Sequence, residues 1–105
     1  MSGELKIADE NINGIDLVRV SGEVDIYTSQ KLKEKLYEVV DRSKGDLKLD
    51  FEHVNYIDST GLGVLVGALK KASQNNRKIY ILNLKDNIKK LFLITGLDKV
   101  FIIEE

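Results

Sequence analysis

The 105-residue sequence contains no cysteine and no proline, and it has a single histidine. Without cysteine, the chain can form no disulfide, no thiolate zinc site and no thiol nucleophile. Without proline, the breaks between helices and strands fall to glycine, asparagine and aspartate. These absences exclude disulfide-stapled secreted domains and cysteine-dependent enzymes.

The sequence also lacks long apolar runs and an excess of charge of either sign. No run approaches the ~20 residues of a membrane-spanning helix, and the first ten residues, "MSGELKIADE", do not have the pattern of a signal peptide. The 16 basic and 17 acidic residues give a net charge of −1, which provides no long-range attraction to nucleic acid or anionic lipid. We therefore expect one cytoplasmic domain over residues 1–105, with no direct contact to nucleic acid or to a membrane.

Two hydrophobic periodicities alternate along the chain. Alternating or short apolar segments predict strands at residues 4–8, 15–21, 46–51, 79–82 and 99–103. Apolar residues at helical spacing predict three helices, which begin near residues 28, 59 and 86. The order β-β-α-β-α-β-α-β predicts an α/β fold, with a mixed, mostly parallel sheet of about five strands and helices packed against it.

Several local details of these elements can also be predicted. Asn11, Asn13 and Gly14 are typical of a hairpin turn between the first two strands. In the second strand we expect Ile15, Leu17 and Val20 on or near the buried face, and we expect the strand to end at residues 21–22. Thr28 or Ser29 is expected to cap the first helix, and glycines at positions 45 and 96 are expected to end the first and third helices.

A polar cluster interrupts the apolar segment "YIDSTGLGVL" at residues 56–65, where a strand is predicted to pass into a helix. In open α/β sheets such corners gather at one edge and hold ligands. The start of the helix offers free amides and a partial positive charge, and Gly61 and Gly63 would allow a partner backbone or a phosphate to approach closely. Alternatively, Ser59 only caps the helix and the glycines only allow close packing of the helix.

The motifs of common catalytic and nucleotide sites are absent. Gly61, Gly63 and Gly67 miss the dinucleotide pattern G-x-G-x-x-G because the third glycine comes one residue late, and no phosphate-binding G-x-x-x-x-G-K-[ST] motif is present. There is no G-x-S-x-G nucleophile motif, and His53 and Ser59 alone make a poor hydrolytic pair. We therefore expect no catalytic residues, no metal site and no cofactor.

Four segments together resemble one known family. The segment "YIDSTGLGVLVG" resembles the phosphorylation-site segment of STAS-domain anti-sigma factor antagonists, which are bacterial regulators of alternative sigma factors in responses such as sporulation or stress. The segment "VSGEVDIYTS" resembles the G-E-[LIV]-D loop of that family, and "LKLDFEHVNYIDS" resembles its central strand. The segment "IKKLFLITGLDKVFIIEE" resembles its C-terminal helix, T-G-L turn and last strand. The resemblance covers nearly the whole chain and implies a single STAS domain.

The resemblance implies a binding switch and not an enzyme. In the family, the unmodified antagonist binds an anti-sigma factor that is also a serine kinase, and the sigma factor is released. The kinase then phosphorylates the serine of the D-S motif, which is Ser59 here, and the modified antagonist no longer binds. A PP2C-type phosphatase removes the phosphate. Thr60 is a minor candidate for the acceptor.

The resemblance, together with position in the sequence, also predicts the residues that contact the partner. They surround the acceptor and comprise Glu23, Asp25, Ile26, Tyr27, Asp58, Ser59, Thr60, Gly61, Leu62 and Gly63. Asp58 either orients the hydroxyl or caps the helix, and Leu62 is either an exposed anchor or a core residue. Two other functions remain open at this point, namely a STAS interaction module of another regulatory or transport complex and a nucleotide-binding domain.

Overall fold

The structure is a computed structural model that describes residues 4–104, in which three helices pack on one five-stranded sheet. The strands are β1 (Lys6–Ile12), β2 (Ile15–Val24), β3 (Leu47–Ile57), β4 (Ile79–Leu82) and β5 (Ile102–Glu104). The helices are α1 (Ser29–Arg42), α2 (Ser59–Ser73) and α3 (Asp86–Thr95), and a 3-10 turn follows at Leu97–Lys99. The predicted α/β class and element order are confirmed.

The strands lie in the sheet in the order of the sequence. The β1–β2 pair is antiparallel and the other three pairs are parallel. Each parallel connection therefore moves to the next strand in the same direction, and right-handed crossovers place all three helices on one face. Burial agrees, because Leu49 and Ile81 are fully buried whereas their neighbours Lys48 and Tyr80 on the opposite face are only half-buried.

The hairpin turn lies where the sequence predicts it. Asn13 and Gly14 have φ values of 53° and 88°, as a two-residue turn with the twist of a hairpin requires. The amide of Gly14 also donates to Asn11 Oδ1 at 3.1 Å. The first strand lies later than predicted, because its pairing with β2 continues up to the turn, where Ile12 is opposite Ile15.

The predicted inward face of β2 is largely wrong. Asp16, Val18 and Val20 are buried, whereas Ile15 and Leu17 lie on the open face of the sheet. Because the first inward position is occupied by Asp16, the alternation of buried and exposed residues in β2 is not evident from hydrophobicity alone. This carboxylate is accommodated because Asp16 Oδ1 accepts a 3.3 Å hydrogen bond from Asn11 Nδ2.

The second strand does not end at residues 21–22, as predicted, but continues to Val24 through an irregularity at Gly22. The pairing with β3 shifts register on both sides of this residue, and Gly22 has a φ of 118°. A Cβ atom there would lie 2.7 Å from the carbonyl oxygen of Glu4. The bulge returns Val24 to the core and places Glu23 opposite Tyr56 of β3.

The remaining boundaries are partly as predicted. Helix α3 ends at Gly96, which has the left-handed φ of 74° that commonly ends a helix. Helix α1 ends at Arg42, before Gly45, and the last strand starts later than predicted because Leu97–Lys99 form a 3-10 turn. Within residues 4–104, no helix is long and apolar enough to cross a membrane.

Candidate phosphorylation and partner-binding site

Two segments of the chain meet at the carboxyl end of the sheet. The amide of Asp58 donates a 3.2 Å hydrogen bond to the carbonyl oxygen of Val24, and Glu23 lies opposite Tyr56 in the parallel register. The loop after β2 and the corner after β3 are therefore neighbours, as expected for adjacent parallel strands. We refer to the two segments together as the corner surface, comprising Glu23, Asp25, Ile26, Tyr27, Tyr56, Asp58, Ser59 and Thr60.

Asp58 caps helix α2. Its backbone is extended, and its Oδ1 atom accepts hydrogen bonds from the amides of Thr60 at 3.0 Å and Gly61 at 3.2 Å. Of the two roles considered for this residue, the structure shows the cap. The two bonds satisfy amides that a helix start otherwise leaves unpaired. These amides are therefore not available to bind a phosphate or a partner group.

Both candidate acceptor residues are accessible. Ser59 and Thr60 occupy the first two positions of α2, and both are exposed. Because Asp58 supplies the cap, neither hydroxyl is required to hold the helix start together. Each of the two residues therefore presents an exposed side chain at the start of the helix.

The loop after β2 is held by its own hydrogen bonds. Asp25 Oδ1 accepts from the amides of Tyr27 at 2.8 Å and Thr28 at 3.1 Å. The Thr28 hydroxyl donates to the carbonyl oxygen of Glu23 at 2.7 Å and accepts from the amide of Asp25 at 3.0 Å. Thr28 occupies the N-cap position of α1, as predicted, but its hydroxyl makes no cap bond to the helix, so the predicted capping bond is wrong. The result is a preorganised loop whose tip projects into solvent.

Apolar and aromatic side chains project from the corner surface. Ile26 is 64% exposed and Tyr27 is 83% exposed. Tyr56, which is not among the predicted contact residues, is 46% exposed and lies opposite Glu23 in the strand pairing. Its outward direction can be inferred from the sequence, since it precedes the inward-facing Ile57 in a strand. Exposed aromatic residues are enriched at protein interfaces.

Two predicted contact residues belong to the core instead. A Cβ atom on Gly61 would lie 2.6 Å from Val24 Cγ1 and 2.7 Å from Ile57 Cγ1, so this glycine allows α2 to pack on the sheet and does not admit a partner. Leu62 is 9% exposed and lies in the core cluster, so its interpretation as an exposed anchor is wrong. Gly63, in contrast, is exposed, and a Cβ atom there would have no neighbour within 4 Å.

A cluster of metal ligands and the single histidine are the other possible sites. Within residues 4–104, no group of three or more His, Asp or Glu side chains could hold a metal ion. His53 is exposed, and its Nε2 atom lies 3.6 Å from Glu52.

The sheet topology and the capped corner define a single-sheet α/β domain, and comparison with known proteins shows its family. The family model described as the STAS domain matches residues 6–105. This chain therefore belongs to the STAS domain family, and the resemblance stated from the sequence is confirmed.

The chain is similar to proteins named as antagonists of anti-sigma factors. It is 43% identical over 88 residues to the anti-sigma-B factor antagonist of Staphylococcus aureus (strain NCTC 8325 / PS 47), a match that covers 84% of this chain and 82% of that protein. The corresponding protein of Staphylococcus epidermidis is 41% identical over 88 residues, with the same coverage. The crystal structure of an anti-sigma factor antagonist from Mycobacterium paratuberculosis matches with a TM-score of 0.87 and 27% identity, over 95% of this chain and 85% of that one.

Proposed function

We propose that this protein is an anti-sigma factor antagonist that phosphorylation of Ser59 switches off. The unphosphorylated form binds an anti-sigma factor that is a serine kinase, so that the sigma factor is released in the cytoplasm. The names of the similar proteins describe regulators and not enzymes. The observation that carries the proposal is the exposed Ser59 on a corner whose helix cap is supplied by a different residue, Asp58.

The electrostatics of the corner surface favour a switch that acts by blocking. A seryl phosphate carries about −1.5 to −2 charges, and here it would join Glu23, Asp25 and Asp58 on one surface. Like unit charges at ~6 Å repel by about 1–3 kcal/mol at an effective dielectric constant of 20–80. Burying the phosphate without a partner in an interface would cost more. A total loss of about 3–5 kcal/mol weakens binding by about two to four powers of ten.

The cap directs the phosphate outward. Asp58 Oδ1 already accepts from the amides of Thr60 and Gly61, so a phosphate on Ser59 would have to displace a carboxylate to reach them. The phosphate then stays at the surface that the kinase contacts, and the helix remains in place. A PP2C-type phosphatase could remove a phosphate that is presented in this way.

A phosphorylation assay tests the proposal. The purified protein is incubated with its cognate anti-sigma factor kinase and ATP, and the modified residue is mapped by mass spectrometry. We expect one phosphate on Ser59, no modification of Ser59→Ala, and normal modification of the neighbouring control Thr60→Ala. Full phosphorylation of Ser59→Ala at another residue would contradict the proposal.

A further inference from the structure

The glycines of α2 differ in what the fold requires of them. Gly61 is needed for packing on the sheet, and a Cβ atom on Gly67 would lie 2.1 Å from the Tyr37 hydroxyl oxygen. Gly63 is exposed and has no atom within 4 Å of a Cβ position. Among helix-interior residues, only proline is less favourable than glycine. The packing of the fold therefore does not require glycine at position 63. We look for the role of this glycine in the binding of a partner.

Gly63 lies in a groove between α1 and α2 that begins beside the candidate acceptors. The groove has a volume of about 280 Å³ and is lined by Ser29, Gln30, Lys33, Tyr37, Thr60, Gly63 and Val64. We refer to it as the α1/α2 groove. Its volume falls just below the range of about 300–1,000 Å³ typical of small-molecule pockets. The α1/α2 groove is therefore better suited to a protein side chain than to a nucleotide.

The charge in the α1/α2 groove is opposite to that of the corner surface. The Lys33 ammonium lies 5.5 Å from the centre of the Tyr37 ring. None of the ion pairs among residues 4–104 involves Lys33. The Lys71 ammonium lies 5.2 Å from the same ring but also forms a 2.9 Å ion pair with Asp41. Lys33 is thus a cation available to an external carboxylate, a short way along α2 from the acidic corner surface.

We propose that the α1/α2 groove receives an acidic side chain of the anti-sigma factor kinase. The backbone of the kinase crosses α2 at Gly63, where no side chain obstructs it, and the carboxylate pairs with Lys33. This inference rests on the function proposed above. Acidic groups at the corner surface and a cation in the α1/α2 groove present two opposite charges to the partner. Such a pattern fixes the orientation of docking more than it raises the affinity, and it presents Ser59 to the kinase active site.

Affinities measured by titration calorimetry with the purified kinase test the α1/α2 groove. We expect Gly63→Ala to raise the melting temperature, because alanine favours a helix, and yet to weaken binding about tenfold or more, because the methyl group obstructs the crossing. Lys33→Glu should also weaken binding about tenfold. The matched controls Ser73→Ala, at an exposed position late in α2, and Lys44→Glu, an exposed charge reversal beyond α1, should bind like the wild type.

The outcomes separate this inference from the proposed function. If the wild type binds and Ser59→Glu does not, while Gly63→Ala and Lys33→Glu bind normally, then the groove contact is wrong and the switch stands. If the wild type itself fails to bind the kinase, both the groove contact and the proposed function are overturned. A lower melting temperature for Gly63→Ala would show that the fold needs this glycine. Lys33→Gln should flatten the salt dependence of the affinity, and an unchanged salt dependence would overturn the ion pair.

Discussion

The amide of Asp58 is hydrogen-bonded to the carbonyl oxygen of Val24 at 3.2 Å, so the end of β3 is fixed to the end of β2 one residue before Ser59. The carboxylate of the same residue caps α2. Asp58 therefore joins a strand, a neighbouring strand and a helix at one point. If Ser59 is phosphorylated as proposed, these bonds hold the corner on either side of the added charge, so we expect the charge to act on the bound partner and not on the fold.

Glutamate at the acceptor position should imitate the modified state. We expect Ser59→Glu to raise the dissociation constant for the kinase by about two to four powers of ten, while the melting temperature stays unchanged because the side chain is exposed. Calorimetric titration and thermal unfolding measure the two quantities. Ser59→Ala should bind normally. A large fall in the melting temperature of Ser59→Glu would show that the residue is mainly structural.

The cap of α2 should depend on an acceptor oxygen and not on the charge of Asp58. We expect Asp58→Ala to lower the free energy of unfolding by about 1 kcal/mol, because two amides lose their partner. Asp58→Asn keeps a side-chain oxygen and should lose much less. Urea denaturation of both variants provides the comparison. Equal losses in the two variants would mean that the charge, and not the hydrogen bonds, stabilises the helix start.

Gly22 should be more sensitive to substitution than another glycine with positive φ. An alanine at position 22 would have to adopt a φ of 118°, and its Cβ atom would lie 2.7 Å from the carbonyl oxygen of Glu4. We therefore expect Gly22→Ala to lower the free energy of unfolding by about 3 kcal/mol or more. At Gly14, φ is 88° but no atom lies within 4 Å, so Gly14→Ala should cost about 1 kcal/mol. Urea denaturation measures both. Similar losses would show that the close approach to Glu4 has little effect.

The sequence is sufficient to predict the order of elements and the corner, because both depend on local patterns. Asn13 and Gly14 specify a hairpin turn, and a D-S-T-G segment between apolar stretches specifies a strand that passes into a capped helix. These signals lie within a few residues of the features they determine, so no knowledge of the tertiary structure is needed to read them.

Features that depend on distant residues could not be read in this way. From the sequence alone, Gly22 is predicted to end the strand. Only the structure shows that glycine is needed there because the carbonyl oxygen of Glu4 lies close to it. From the sequence alone, Asp16 is expected at the surface. It is buried because Asn11, across the hairpin, donates a hydrogen bond to it. Leu62 could be a core residue or an anchor until the packing of α2 decides. In each case the pairing or packing of separate segments sets the outcome.

Tyr56 should contribute to partner binding without contributing to stability. It is 46% exposed beside Glu23 on the corner surface, and exposed interface aromatics often contribute 1 kcal/mol or more to binding. We expect Tyr56→Ala to weaken kinase binding about tenfold at an unchanged melting temperature. Tyr80→Ala, on the open face of the sheet, is the matched control and should bind normally. Equal affinities of Tyr56→Ala and the wild type would place Tyr56 outside the interface.

A carboxylate at the other end of the fold should make stability depend on pH. The Arg42 guanidinium and the Lys35 ammonium both contact Asp9, the latter at 3.2 Å, and the hydrogen bonds from Arg42 and then Lys35 hold the pKa of this carboxyl below its usual value. A carboxyl whose pKa is lowered by folding stabilises the protein above its unfolded pKa of about 3.9. That stabilisation declines as the pH falls below this value, and it is lost once the pH is below the folded pKa.

The pH dependence can be measured with Asp9→Asn. At pH 7 we expect the variant to be less stable than the wild type by about 0.5–1 kcal/mol, the size typical of exposed ion pairs. The difference should shrink as the pH falls below about 4 and vanish once the pH is below the lowered pKa of the folded protein, where the wild-type carboxyl is also neutral. Glu34→Gln, at an exposed position of α1, is the matched control and should be close to the wild type in stability at pH 7. A difference for Asp9→Asn that persists at low pH would show that Asp9 acts through packing, because the charge would then be absent from both proteins.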